Sequence, residues 1–157
     1  MRRRRAIVWV VAVVVVVGGA AVWYFLLRPP APSDREQIIT MVADLERAVE
    51  QKKVSDVMRY VAPDYQDPQG YDHRAVQRLV IAALRDPTPV DVVVQIGDMD
   101  IQGNQATLHV DADYSFGQPV GMGESQHVSV EATLHRERGG WKVVSAQGWQ
   151  QAAGEAL

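Results

Sequence analysis

Twenty-two consecutive residues, Ala6 to Leu27, carry no charged side chain, and no other feature limits the chain's architecture as strongly. A helix rising about 1.5 Å per residue covers roughly 33 Å in 22 residues, enough to cross a hydrocarbon core of about 30 Å. Trp9 stands near one end of the run and Trp23 and Tyr24 near the other, where interfacial aromatics belong. The Val11 to Val17 stretch is dominated by β-branched residues and forms helix poorly in water. In lipid, unsatisfied backbone groups are too costly, so the helix prevails.

Arg2 to Arg5 precede the run and Arg28 closes it. Excess basic charge on the N-terminal side places residues 1–5 in the cytoplasm as a basic tail and everything after the span outside. The competing reading is a cleaved signal peptide, with Gly18-Gly19-Ala20-Ala21 as the small-residue cleavage region. Val22 to Leu27 extend the apolar run past that point, which favours an uncleaved signal anchor over 6–27. With no cysteine anywhere, lipoprotein processing, disulfides, thiolate catalysis and Cys-ligated metals are excluded. Residues 28–33, with Pro29, Pro30 and Pro32, read as a stiff linker.

Beyond Arg28 the balance is acidic, with 11 Lys and Arg against 19 Asp and Glu. A nucleic-acid surface needs the opposite sign, so that partner class is excluded. The same acidity disfavours tight binding to anionic lipid headgroups.

Ser33 with Glu36 three positions on is a capping box. Ile38, Met41, Val42, Leu45, Ala48 and Val49 follow at helical spacing, so a helix runs from Asp34 to about Lys52. Val54, Val57, Met58 and Val61 mark a short second helix, ended by Pro63. Asp72 caps a third helix with a buried face of Ala75, Val76, Leu79, Val80, Ala83 and Leu84, stopped by Pro87 and Pro89.

The apolar period then becomes two. Val90, Val92, Val94 and Ile96 share one parity, and Met99 and Ile101 the other. A β-bulge at Gly97–Asp98 reconciles them. A two-residue turn at Gly103–Asn104 sets Ile101 against Ala106 and Met99 against Leu108. The extra residue then sets Ile96 against Val110, Val94 against Ala112, Val92 against Tyr114 and Val90 against Phe116. Val128, Val130, Ala132 and Leu134 make the inward face of a third strand. After Gly139–Gly140 a last strand covers Trp141 to Gln147; its facing stays open, because Val143 and Val144 are both apolar. Three helices followed by a four-stranded meander predict an α+β domain over 34–150, helices packed on a curved antiparallel sheet, with 151–157 as a polar tail.

This order resembles the nuclear transport factor 2-like superfamily, which includes the SnoaL-like proteins. The resemblance rests on the long first helix, the Tyr60-Val61-Ala62-Pro63-Asp64-Tyr65 passage, the Gly103–Asn104 hairpin and the closing Gly139-Gly140-Trp141-Lys142-Val143. It implies a cone-shaped, cystatin-like fold with a pocket between sheet and helices. The superfamily hosts isomerases, dehydratases, ligand binders and scaffolds, so the fold does not assign an activity. The layout of basic tail, single span and outside domain is also similar to scaffold components of type IV secretion and conjugation machines, and to Mce-associated membrane proteins.

A catalytic cone needs acid–base groups facing inward. The inward strand positions carry none, whereas the superfamily's steroid isomerases place a carboxylate there. Catalysis is therefore not expected, and no cofactor or metal is called for. Tyr60, Tyr65, Asp67, Tyr71 and His73 gather around the loop before the third helix, with Tyr114 and Trp141 adding aromatic surface. They either line the mouth of a pocket for a small apolar ligand or form a core rim whose hydroxyls reach water. On the opposite sheet face, a pairing of His109 with His135 is what a metal site there requires; a solvated polar face explains His109, Asp111, Asp113, His127, Glu131 and His135 as well. The expectation that results is a single-pass protein of a bacterial inner or plasma membrane, acting as a non-catalytic interaction module in an envelope assembly. A binder of a small apolar ligand is the alternative, a SnoaL-like enzyme the third, and homodimerisation is left open.

Overall fold

The computed structural model describes residues 31–149. The basic tail, the uncharged run and the tail from 151 lie outside the described residues. Among those described, no helix is long and apolar enough to cross a membrane.

The first helix, α1 (Asp34–Glu50), starts at the expected capping box. Ser33 Oγ accepts from the Glu36 amide at 3.3 Å, and Glu36 Oε2 accepts from the Ser33 amide at 2.7 Å. The helix stops two residues short of Lys52. Gln51 is its cap, and Lys52 turns into the left-handed region at φ 55°. The next helix, α2 (Val54–Met58), is also shorter than its apolar spacing predicts. Val61 instead forms a parallel bridge to Val143 of the last strand. The Val143 amide donates to Tyr60 O at 2.8 Å, and the Ala62 and Gln66 amides donate to Val143 O and Val144 O. This segment thereby satisfies backbone groups along the outer edge of the sheet, which otherwise offers a template for foreign strands.

Asp72 caps α3 (His73–Leu84), its Oδ1 accepting from the Ala75 amide at 2.7 Å. Four strands follow as an antiparallel meander, β1 (Val90–Gln102), β2 (Gln105–Phe116), β3 (Gln126–Glu137) and β4 (Gly140–Gln147), in spatial order 1-2-3-4. The β1–β2 register matches the sequence arithmetic pair for pair, from Ile101 opposite Ala106 to Val90 opposite Phe116, with the irregularity between Ile96 and Met99. A second irregularity settles the last strand. Thr133 pairs with Ser145 but Leu134 with Val143, so Val144 is the extra residue and Trp141 and Val143 face inward.

α1 lies across the inner face and closes one end of it. Ile38, Met41 and Val42 meet Ala106, Leu108, Ala132, Leu134 and Trp141 there, and Ile38 and Leu134 are wholly inaccessible. Arg136 fastens this end. Its guanidinium pairs with Asp34 in the first turn of α1 and stacks 5.0 Å from the centre of the Trp141 ring. The expected buried face of α3 is corrected at this point: no residue of that helix is fully buried. Its apolar side faces a space rather than a packed core.

Candidate functional site

That space is a cavity of about 320 Å³ between α3 and the half of the sheet that α1 leaves uncovered. From α3 come Leu79, Val80, Ala83 and Leu84. The sheet contributes Val90 and Val92 of β1, Ala112, Tyr114 and Phe116 of β2, and Val128 of β3. Val49, Lys52 and Trp149 complete the wall. The strand residues project there because of alternation: the parity that buries Leu108 and Ala106 under α1 carries Ala112 and Tyr114 under α3.

The lining is nearly all hydrocarbon. Among the described residues, Lys52, Tyr114 and Trp149 are the lining side chains that carry a polar group, the Trp149 indole N–H itself being buried, and none of the lining side chains is a carboxylate or imidazole. Lys52 Nζ donates to the carbonyl oxygens of Asp86 and Thr88, so the amine ties the α3–β1 connection to the end of α1. Tyr114 and Phe116 meet edge to face, 6.0 Å between ring centres. Such a wall offers shape and apolar contact area.

Of the seven residues proposed from sequence, Tyr114 lines this cavity and the other six do not. Trp141 is buried in the α1 end of the core, and Tyr60 packs against the same cluster. Tyr65 and Asp67, each 5% exposed, form a tight turn with Tyr71. Asp67 Oδ1 accepts from the Gln69 and Tyr71 amides at 3.0 and 2.9 Å. Burial, then the adjacent Asp67 carboxylate, pushes the Tyr65 hydroxyl up to about 12. Tyr71 meets Trp149 edge to face at 5.4 Å and so buttresses the wall from behind. His73 is the first residue of α3. These loop residues organise the site's support through pairing with β4, a non-local relation that spacing does not reveal. Sequence reading missed Lys52 and Trp149. The one signal for Lys52 is the absence of glycine after a helix that must end before Val54.

On the solvent face, the β2–β3 register opposes His109 to Glu131 and His135 to Gln105. The His109–His135 pairing that a metal site there requires does not form. His109 Nε2 lies 3.4 Å from Glu131, while His127 sits 2.9 Å from Asp113 and 3.6 Å from Asp111. No cluster among the described residues brings together three metal-ligating side chains.

No protein-family model and no curated protein matches the chain. Solved structures do resemble it. A candidate dehydratase from the nuclear transport factor 2-like family of Streptomyces avermitilis superposes with a TM-score of 0.60 at 15% identity, covering 72% of this chain and 93% of that one. A candidate scytalone dehydratase from Novosphingobium aromaticivorans gives 0.61 at 11% identity, covering 72% and 80%. A Nostoc punctiforme protein with a cystatin-like fold gives 0.53 at 15% identity, covering 70% and 85%. The architecture of the described residues is therefore the cystatin-like, nuclear transport factor 2-like α+β fold, with helices on a curved four-stranded antiparallel sheet. Identities this low carry the fold alone.

Proposed function

We propose that the chain is a membrane-tethered, non-catalytic domain that holds a small apolar ligand between α3 and the sheet. One observation carries the reading: a cavity of about 320 Å³ whose wall, among the described residues, offers hydrocarbon but no carboxylate or imidazole. The dehydratase candidates share the fold, and among the described residues no carboxylate or imidazole lines this wall to serve as a base, which supports the non-catalytic reading. The uncharged run Ala6–Leu27 behind Arg2 to Arg5 supports a single span in a bacterial inner or plasma membrane, with the N-terminus inside and the domain outside. Alkaline carbonate extraction and protease treatment of spheroplasts test that placement. Protein released by carbonate, or a domain shielded from protease, contradicts it.

Native mass spectrometry of the full chain, extracted in mild detergent, tests the ligand. A small apolar molecule at one per chain is the expected result. The second reading, an interaction module of an envelope assembly, draws support from Met122 in the β2–β3 loop, 77% exposed, and from Phe116 at the loop's start, 48% exposed. A stoichiometric protein partner, or a second copy of the chain, found with an empty cavity favours that reading instead.

A further inference from the structure

The face of α3 turned away from the cavity has its own pattern. Arg74, Arg78, Ile81 and Arg85 recur at spacings of four, three and four. At about 100° per residue they fall within roughly 60° of arc, opposite the stripe that walls the cavity. All four are exposed, Ile81 at 47%. Among the described residues no carboxylate pairs with any of these three guanidiniums. The acids that flank the helix are engaged locally: Asp72 accepts from the Ala75 amide and Asp86 from the Thr88 amide.

We infer that this stripe docks α3 on an anionic lipid surface, the arginines meeting lipid phosphates and Ile81 entering the interface. The inference rests on the membrane-anchor reading above. Two further facts support it. The uncharged run ends at Leu27, and five residues separate it from Ser33. Five residues reach at most about 18 Å, so the domain cannot leave the neighbourhood of the headgroups. The charge is also divided between opposite sides of the domain. Asp111, Asp113 and Glu131 lie on the sheet's outer face, while α3 covers the inner one. An anionic surface attracts one side and repels the other, which orients the domain despite its net negative charge.

The chain has no cysteine, so a single introduced one reports on its own position. Ile81→Cys carrying an environment-sensitive dye is placed in the full chain and reconstituted into nanodiscs of phosphatidylcholine, with or without phosphatidylglycerol. A blue shift only in the anionic discs is expected. It should vanish in the Arg74→Gln, Arg78→Gln, Arg85→Gln variant and in about 0.5 M salt, where screening is nearly complete. The same dye at Ser129→Cys, on the sheet's outer face, should report no shift. Equal emission in both lipids, or a shift that survives the triple substitution, overturns the docking. A chain that the discs do not retain fails the anchor reading separately; its Ile81 label is then read against preformed anionic vesicles, and no shift there overturns the docking too.

Discussion

The Tyr60 hydroxyl donates a 2.8 Å hydrogen bond to Asp44 Oδ2, fastening the segment that follows α2 to the middle of α1. The bond acts first among the causes that hold the Asp44 carboxyl below its usual range, with Arg47 adding to it. Two residues further along the same helix, Glu46 is held above its usual range, by burial first and then by Glu50. Neighbouring acids on one helix therefore answer pH in opposite directions.

For Asp44, the folded-state value is depressed, so its contribution is present above the ordinary carboxylate range and lost as pH falls through the folded value. Tyr60→Phe should cost about 1 kcal/mol at pH 7. Urea denaturation repeated near pH 3 should show a smaller difference. An equal loss at both values excludes a bond to charged carboxylate.

Glu46 has the reverse sign. Its raised folded-state value means that stability declines as pH climbs from the acid side through that value. Glu46→Gln should therefore raise Tm at pH 7 and have no advantage below about pH 4. A lower Tm at neutral pH refutes the assignment of burial as the dominant effect.

Lys52 combines a tie and a strain. Its amine bonds two carbonyls, while its backbone occupies the left-handed region at φ 55°. Lys52→Ala loses the tie and keeps the strain; Lys52→Gly loses both. The glycine variant should be the more stable of the two by about 1 kcal/mol. Calorimetry that ranks alanine first rules out the left-handed geometry.

Gly148 sits at φ +94°, and a Cβ there runs into the Ser129 carbonyl oxygen. Gly148→Ala should cost about 2 kcal/mol or more and displace Trp149 from the cavity wall, seen as a red-shifted tryptophan emission. Gly121→Ala is the control: its φ is +86° but a Cβ there meets nothing. It should cost only the conformational strain, about 1 kcal/mol.

Ala83→Trp tests the cavity itself. Ala83 is exposed and lines the space, so the indole has room to fill it without displacing packed atoms. Co-purifying ligand should fall below half occupancy while Tm stays within about 2 °C, since substitutions outside a packed core are usually small in effect. Undiminished ligand excludes this cavity as its seat.

The β1–β2 hairpin was legible to the residue because two local signals fix it: a turn dipeptide at Gly103–Asn104 and a parity change at Gly97–Asp98. The bulge at Val144 left no such trace, since valines on both sides of the phase change look alike. Periodicity also told which side of α3 points inward, but not how far away the sheet would be. A stripe such as Leu79, Val80 and Ala83 reads the same over a packed core as over a cavity. What the aromatic cluster before α3 packs against was not legible, for another reason. Tyr60 and Tyr65 owe their positions to the bridge between Val61 and Val143, a contact across more than eighty residues of chain.

The bulge on β1 has a consequence for how this fold varies. Gly97 and Asp98 together face His109, and the flanking pairs are unaffected by which of them is present. Deleting one residue there would leave Ile96 opposite Val110 and Met99 opposite Leu108, every side chain keeping its face. What would change is the bend, because bulges increase local twist. The bend falls between Met99 and Ile101, which pack against the α1 core, and Val90 and Val92, which wall the cavity. Chain length at this one position is thus a dial on the volume of the cavity, adjustable by insertion or deletion while the composition of its lining stays the same.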